Sequence, residues 1–326
     1  MKTLSISVAA YNLGEMVLTN LKSVCESNVA EDIEIIVTDD GSKDNTPDIV
    51  EQYAKNYPTV VKLIRKNNEG PGSTVNSGIK NATGKYFRMV DGDDWVDTNH
   101  LEQFIQLLKN TNADLVVSDF VYYDNSKQNY LNVISSKMPA NIEMDIDDVY
   151  SFVPLFMHSL TFKTEIFKKN NIILDNCFYT DVEYTLFPIP YIKSVIYFDN
   201  IIYVYRIARE GQSVSVDSMK KNIGQHNLVL THLLDWYNKL KDLSIGQDGI
   251  INKRIFNMTF IQLNTLCSFD ANKQNKKNIK DYLHYISQSN SSIYKQLKKT
   301  KKCKILLWSG FSLYWLVVYI TKKRNK

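Results

Sequence analysis

The stretch Tyr86-Phe-Arg-Met-Val-Asp-Gly-Asp-Asp-Trp95 runs apolar for most of its length and then sets three carboxylates in four positions, Asp91, Asp93 and Asp94. Unpaired charges are too costly to bury, so a fold must carry this cluster to an edge where charge is wanted. A strand that delivers acids to its carboxyl end builds a site for a hard cation. Mg²⁺ or Mn²⁺ takes oxygen ligands and shares its shell between one or two carboxylates and substrate phosphates. For this stretch alone the competing reading is an acidic turn that caps the next helix, since Asp and Gly favour turns in any case.

A second acidic strand end lies upstream. Ile33-Glu-Ile-Ile-Val37 ends in Thr38-Asp39-Asp40-Gly41-Ser42, followed by Lys43-Asp44-Asn45-Thr46-Pro47 and a helical pattern from Asp48. Leu4, Ile6 and Val8 alternate in a first strand, which leads into Ala9-Ala10-Tyr11-Asn12 and a helix carrying Val17, Leu21, Val24 and Cys25. Residues 59–64 and 114–118 add short strands. This βαβ alternation predicts an α/β fold. Ligands of open α/β sheets sit outside the carboxyl ends of the strands, so Asp40 and Asp93 are expected to face one crevice.

In order and spacing, four blocks resemble the family 2 glycosyltransferases with the GT-A fold: Ala10-Tyr11-Asn12; Asp39-Asp40-Gly41-Ser42-Lys43-Asp44; Asn68-Glu69-Gly70 with Asn76-Ser77-Gly78-Ile79; and Asp91-Gly92-Asp93-Asp94-Trp95. The resemblance fades after about residue 226. It implies a GT-A type, Rossmann-like mixed sheet, mostly parallel and flanked by helices. It also implies a nucleotide-sugar donor, by preference a UDP-sugar, and a glycan or lipid-linked saccharide acceptor. The nucleotide falls to Ala10, Tyr11, Asn12, Asp39, Asp40, Lys66, Gly70 and Asn76, with Asp40 at the base. Mn²⁺ or Mg²⁺ falls to Asp91 and Asp93, with Asp93 the direct ligand, and Asp94 and Trp95 are candidate contacts to diphosphate or acceptor.

The chain also departs from the family pattern. Ala9 and Ala10 stand where many relatives have a proline and a threonine or serine, and Val75 stands where many have an arginine. A phosphate contact is then expected from Lys66 or Arg88. The Gly70-Pro-Gly-Ser-Thr-Val-Asn-Ser-Gly78 segment resembles a subgroup of bacterial enzymes that build surface polysaccharide.

An inverting transfer needs one carboxylate placed to take the acceptor's hydroxyl proton. Asp181, in Phe178-Tyr-Thr-Asp-Val-Glu-Tyr184, is the candidate: partial burial among aromatics raises a carboxylate's pKa toward the working range of a base. The resemblance puts the base at this Asp, with Thr180 where the family has Glu. Glu183 is the alternative base, and an acidic helix N-terminus is the competing structural reading. Further on, Ile201-Ile-Tyr-Val-Tyr205 alternates like an edge strand and feeds Arg206, Arg209, Gly211, Gln212 and Ser213, a setting suited to phosphate oxygens. Arg206, Gln212 and Ser213 are therefore candidate diphosphate or acceptor contacts. His158 and His226 lie nearest these blocks, and His158 is a candidate for the acceptor or metal side.

The 326 residues exceed one ordinary domain, and the pattern divides them into a catalytic domain at 1–215 and a helical region at 216–326. Val229, Leu233, Trp236, Tyr237 and Leu240, then Ile251, Ile255, Met258 and Leu266, then Ile279, Tyr282, Leu283 and Ile286 mark three helices with core stripes. Residues 127–148, polar and without period, are expected to form an excursion on the acceptor side. The cysteines show neither metal-ligand spacing nor a paired pattern, and no charged-then-apolar leader precedes the first strand, so a reducing cytoplasm is expected. Residues 298–326 hold nine Lys or Arg and no acid, which leaves −5 for the remainder of a chain whose formal charge is +4. Between the lysine flanks runs an apolar segment, 305–320, with Trp308, Tyr314 and Trp315. It is shorter than the roughly 20 residues of a spanning helix. The tail is expected as one helix lying on the inner face of the plasma membrane, with packing on the protein's own core as the alternative. The acidic body and the lack of any nucleic-acid motif exclude nucleic acid as partner; a homo-oligomer remains open.

Two other classes compete. A sugar nucleotidyltransferase would want a Gly-rich loop after the first strand, and Ala9-Ala10-Tyr11-Asn12 is not one. A non-catalytic scaffold that kept the fold, as a partner subunit of polysaccharide assembly, is the second.

Overall fold

Four aliphatic runs build the first half of a ten-stranded sheet: β1 (Leu4–Ala10), β2 (Ile33–Asp39), β3 (Val61–Arg65) and β4 (Tyr86–Asp91), all parallel in the order β3-β2-β1-β4. They are joined through α1 (Met16–Cys25), α2 (Thr46–Asn56) and α3 (Pro71–Asn81). Strands covered by helices on both faces are buried throughout, as β2 is along its whole length. One polar cluster inside is tied to the main chain: the Ser5 hydroxyl donates to the Glu34 carboxylate, which also accepts from the Thr83 and Gly84 N–H groups. The computed structural model describes residues 2–177, 179–208 and 216–324.

After β4 come β5 (Trp95–Val96), α4 (Leu101–Asn110), β6 (Leu115–Asp124), β7 (Asn129–Ile134), β8 (Glu143–Asp145), α5 (Ile146–Val149), β9 (Leu160–Lys163), α6 (Thr164–Lys169), α7 (Thr180–Leu186) and β10 (Ser194–Ile207). β9 lies antiparallel between β4 and β6, and β10 runs parallel to β6 and carries β5 on its other side. β7 and β8 branch from β6 and β10. Six of the ten strands therefore run one way, which is the mixed, mostly parallel sheet the sequence predicts. One local expectation fails and another gains detail. The alternation at 201–205 does not mark an edge strand; it belongs to the long β10, hydrogen-bonded on both sides. Residues 127–148 contribute β7 and β8 to the sheet, where backbone pairing supplies the order that side-chain period does not.

The chain divides into two units, Met1–Glu210 with Ser244–Gln247, and Gly211–Leu243 with Asp248–Lys326. The described part of the second is helical, with α8 (Val216–Lys221), α9 (Ile223–Lys239), α10 (Ile245–Leu266), α11 (Lys273–Ser289), α12 (Ser291–Lys299), α13 (Lys301–Trp308) and α14 (Tyr314–Arg324). Val229, Leu233, Ile251, Ile255, Ile279 and Ile286 are fully buried, as stripes at helical spacing require. Asn272 and Asn290 cap α11 and α12 with side-chain oxygens that accept from the third residue on. The apolar run 305–320 is not one helix. At Gly310 (φ +55°) the chain turns left-handed, the Gly310 N–H bonds Leu307 O, the Phe311 N–H bonds Leu306 O, and α13 ends there. All four cysteines are buried free thiols, each pushed up to about 11 by burial.

Burial is also what drives the His226 imidazole down to about 4, against a hydrogen bond with Gln262 and with a smaller push from Arg254. Unfolded, the ring takes up a proton near pH 6.5, so between that pH and about 4 the unfolded chain binds the extra proton and the fold loses stability as pH falls. We expect a loss of up to roughly 1.4 kcal/mol per pH unit in this window. Urea denaturation at pH 7 and pH 5 checks it, and His226→Gln should remove this ring's share of the difference while leaving the share of the other depressed histidine, His158.

Candidate active site

The parallel register pairs Ala10 of β1 with Asp39 of β2, and Ala9 of β1 with Asp91 of β4. The two acid-bearing strand ends thus flank the end of β1 on one sheet edge, two strand spacings or about 10 Å apart. There β1 gives way to Tyr11, 49% exposed, and to Asn12 in the left-handed region. The Asn12 N–H donates to Ser42 Oγ at 2.9 Å, and its Oδ1 accepts from the Lys43 N–H at 2.8 Å. Leu13 and Gly14 donate to Thr46 Oγ1, and Gly14 also reaches Asp44 Oδ2 at 2.9 Å. Ser42, Asp44 and Thr46 therefore staple the loops after β1 and β2. The second block contains Ser42 and Asp44 but assigns a role to neither, and Thr46 lies beyond it; the self-closing Asp44-Asn45-Thr46 turn, with the Thr46 N–H on Asp44 Oδ1, is a local signal for the staple.

Asp40 is 4% exposed and works as a clasp. Its Oδ1 accepts from Lys66 Nζ at 2.9 Å and the Glu69 N–H at 2.9 Å, and its Oδ2 accepts from the Gly70 N–H at 2.8 Å. Burial alone would raise this carboxyl; the donors from Glu69, Lys66 and Gly70 outweigh it and hold the pKa below the ordinary value. Lys66 uses its three donors inside the same loop, on Asp40, Asn67 O and Ser73 Oγ. It is placed as a pin for the turn. Gly70 takes φ +97°, where a side chain would strain the backbone, and it opens α3.

The acidic turn after β4 is framed by β10. Asp94, fully buried, accepts from the Tyr203 hydroxyl at 2.5 Å and the Arg206 N–H at 2.8 Å. Arg206 Nε donates to Asp93 O at 2.8 Å, Nη1 donates to Asn125 Oδ1, and the guanidinium lies 4.8 Å from the Trp95 ring centroid. Asp94, Trp95 and Arg206, expected as ligand contacts, are thus joined in holding the turn's shape. Trp95 also borders a cleft of about 700 Å³ with Asp97, Asn99 and Tyr130. Asp91, Asp94 and His158 bring ligand atoms within 4.8 Å of one another. Asp93, 8% exposed, is outside that group.

The donor set suits a hard cation. Burial, and then the charges of Asp91 and Asp93, drive the Asp94 carboxyl well above its usual range, strain that a positive ion would relieve. His158 is enclosed by Phe120, Tyr203 and Tyr205, with ring centroids at 4.9, 4.7 and 4.4 Å. Burial and the Arg88 charge push its imidazole down to about 3, so it is neutral, and its buried Nδ1 has no hydrogen-bond partner. Arg88 itself is no phosphate ligand. It is fully buried and donates to Ser118, Thr161 and the His158 carbonyl, with Phe104 and Tyr203 rings over its guanidinium.

Asp181, half-buried, sits at the start of α7, where Thr180 Oγ1 closes on Cys177 O at 2.7 Å. Glu183, the alternative base, is fully buried and accepts the Asp175 N–H at 2.6 Å, which ties it to the main chain. Tyr184, one turn after Asp181 and on the same face, accepts from the Met89 N–H of β4 and donates to Leu160 O. This seats α7 beside the strand that carries Asp91. The segment before α7 is locked to α3: the Asn76 amide donates to Leu174 O at 2.8 Å and accepts the Leu174 N–H at 2.9 Å. Asn76, expected on the nucleotide, is placed as this bridge. A Cβ on Gly72 would come within 1.9 Å of Asp175 O, so α3 and the 174–176 segment touch backbone to backbone. We expect Gly72→Ala to cost about 1–3 kcal/mol by overpacking, read as a drop in the urea midpoint. Gln212 and Ser213, with Arg209, lie outside the described residues.

Comparison with known proteins adds an independent line. The sequence profile of Glycosyl transferase family 2 matches residues 5–179. The chain is 36% identical over 116 residues to the putative glycosyltransferase EpsH of Bacillus subtilis (strain 168), 36% of this chain and 33% of that protein. It is 25% identical over 295 residues to the cholesterol galactosyltransferase of Borreliella burgdorferi, 86% of this chain and 78% of that one. Its matches to EpsH, to the glycosyltransferase GlyG of Streptococcus pneumoniae and to the poly(ribitol-phosphate) beta-glucosyltransferase of Bacillus spizizenii span 33%, 48% and 33% of those proteins. In structure it resembles S. aureus TarS 1–349 in complex with UDP, with TM-score 0.70 at 19% identity, covering 100% of this chain and 92% of that one. The profile match takes in more than half of the chain, from β1 through both acidic strand ends to the threshold of α7, and on that ground the chain belongs to glycosyltransferase family 2.

Proposed function

We propose that the catalytic domain, 1–215, moves a sugar with inversion from a UDP-sugar to a hydroxyl of a glycan or lipid-linked saccharide, with a divalent cation at the Asp91–Asp94 turn. The observation that carries this reading is the register that sets Asp39–Asp40 and Asp91 on either side of the end of β1. TarS has been seen with UDP and with UDP-GlcNAc, and a mannosyltransferase of Pyrobaculum calidifontis, at TM-score 0.53 and 14% identity, with GDP-Man and Mn²⁺. These are properties of those proteins, and they support the choice of donor class and cation here.

Each part of the chain has a task in this reading. Tyr11 offers an exposed ring to the base, and Asp40 keeps an acceptor lone pair for a base N–H while it holds the Gly70 turn. Ala10, Asn12 and Asp39 shape the floor beneath. Asp91, clustered with Asp94 and His158, and Asp93 two residues on would hold Mn²⁺ or Mg²⁺. Such an ion supplies charge neutralisation to a diphosphate leaving group. Asp181 takes the proton of the acceptor hydroxyl as it attacks from the face opposite the diphosphate. The helical region, 216–326, would hold the enzyme on the cytoplasmic face of the plasma membrane, where lipid-linked acceptors lie.

Release of UDP from a panel of UDP-sugars with Mn²⁺ tests the reaction class. Pyrophosphate appearing instead would mark a nucleotidyltransferase, and no turnover with any donor would mark a scaffold. Asp181→Asn should lower kcat roughly 100- to 10,000-fold while donor Kd stays within twofold; an unchanged kcat would remove Asp181 from the reaction. Asp93→Asn should abolish the dependence of transfer on Mn²⁺, and wild-type metal dependence in this variant would refute the cation assignment.

A further inference from the structure

α14 is apolar on two sides at once, and α13 ends in an exposed Trp308. Cys303, Leu306, Phe311, Tyr314, Val317 and Val318 are buried within their own unit. On α14 the positions between them, Trp315, Leu316, Tyr319 and Ile320, are 52%, 48%, 65% and 39% exposed, and Trp308 at the end of α13 is 86% exposed. On α14 these fall at i, i+1, i+4 and i+5, so they form one outward stripe. Contiguous exposed apolar surface of this kind marks an interaction site. Around it Lys298, Lys299, Lys301, Lys304 and Lys323 are exposed, and Lys322 is paired with Asp270.

We propose that this outward face of α13 and α14 docks on an anionic bilayer surface, lying in the headgroup layer. Three observations choose that occupant. Trp and Tyr have amphipathic rings that settle at a lipid–water interface. The lysines complement anionic headgroups, and residues 298–326 contain no acid to repel them. A second copy is a poor occupant, because a two-fold contact would set the same lysine-rimmed patch against itself. Spanning is excluded for these helices by length: the left-handed turn at Gly310 separates α13, of 8 residues, from α14, of 11, and among the described residues no helix is long and apolar enough to cross a membrane. The earlier alternative between membrane contact and self-packing therefore dissolves, since the two faces of α14 do different things.

The inference deepens the proposal of a membrane-surface acceptor and is tested without catalysis. The full chain is mixed with vesicles of phosphatidylcholine alone or of equal parts phosphatidylcholine and phosphatidylglycerol, and the bound fraction is read by flotation. Binding is expected to the phosphatidylglycerol vesicles only, with loss in the variant Trp315→Ser, Tyr319→Ser. Replacing Lys299, Lys301 and Lys304 by Gln should weaken binding roughly fivefold per lysine. UDP release from a sugar nucleotide without lipid acceptor should not change in these variants, so a failed transferase reading and a failed docking reading are distinguishable. No binding to either vesicle, equal binding to both, or retention by the Trp315 and Tyr319 variant would overturn the proposal. So would a dimer in solution that the same variant breaks.

Discussion

The carboxylate of Asp40 is the contact on which the crevice depends. Through Lys66, Glu69 and Gly70 it fastens the end of β2 to the turn that opens α3. α3 in turn holds the segment before α7 through Asn76 and the close approach at Gly72, and Glu183 anchors Asp175 from the other side. The segment that leads to Asp181 therefore takes its place through a relay of short contacts that begins at the end of β2. Charge-assisted bonds suit this use because they are strong and directional where water is scarce.

The acidic turn after β4 follows a different logic. Its innermost carboxylate, Asp94, is tied to Tyr203 and Arg206, while Arg206 also grips Asp93 O and stacks over Trp95. One acid and one base fix the backbone that carries Asp91 and Asp93. Burial, and then the charges of Asp91 and Asp93, raise the Asp94 pKa, and the cation proposed for this turn would offset both. A preformed frame of this kind limits the reorganisation needed when charge arrives.

What the sequence made legible was local. β1, β2 and β4 announce themselves by aliphatic runs that end in acids, and the parallel order follows from strand–helix alternation, so both acidic ends were foreseeable on one edge. Partners far along the chain were not. Asn76 finds Leu174 some 98 residues away, and nothing in the composition of either segment signals it. Arg88 looks like a phosphate ligand by type, yet its strand position turns it into the core, where the Ser118 and Thr161 hydroxyls accept from its Nη1 and aromatic rings lie over the guanidinium. His158 shows no motif of its own; only the fold sets it beside Asp91 and Asp94. The break at Gly310 was readable in principle, because glycine followed by an apolar residue is a helix stop, but the apolar run on both sides masks it.

The central claim is that Asp40 and the Asp93 turn grip opposite ends of one nucleotide. Titration calorimetry of UDP and of uridine, each with and without Mn²⁺, tests it most directly. The account predicts that Asp40→Asn weakens UDP and uridine alike, whereas Asp93→Asn weakens UDP only when Mn²⁺ is present and leaves uridine untouched. Equal losses for both ligands in the Asp93 variant, or unchanged uridine binding in the Asp40 variant, would contradict it.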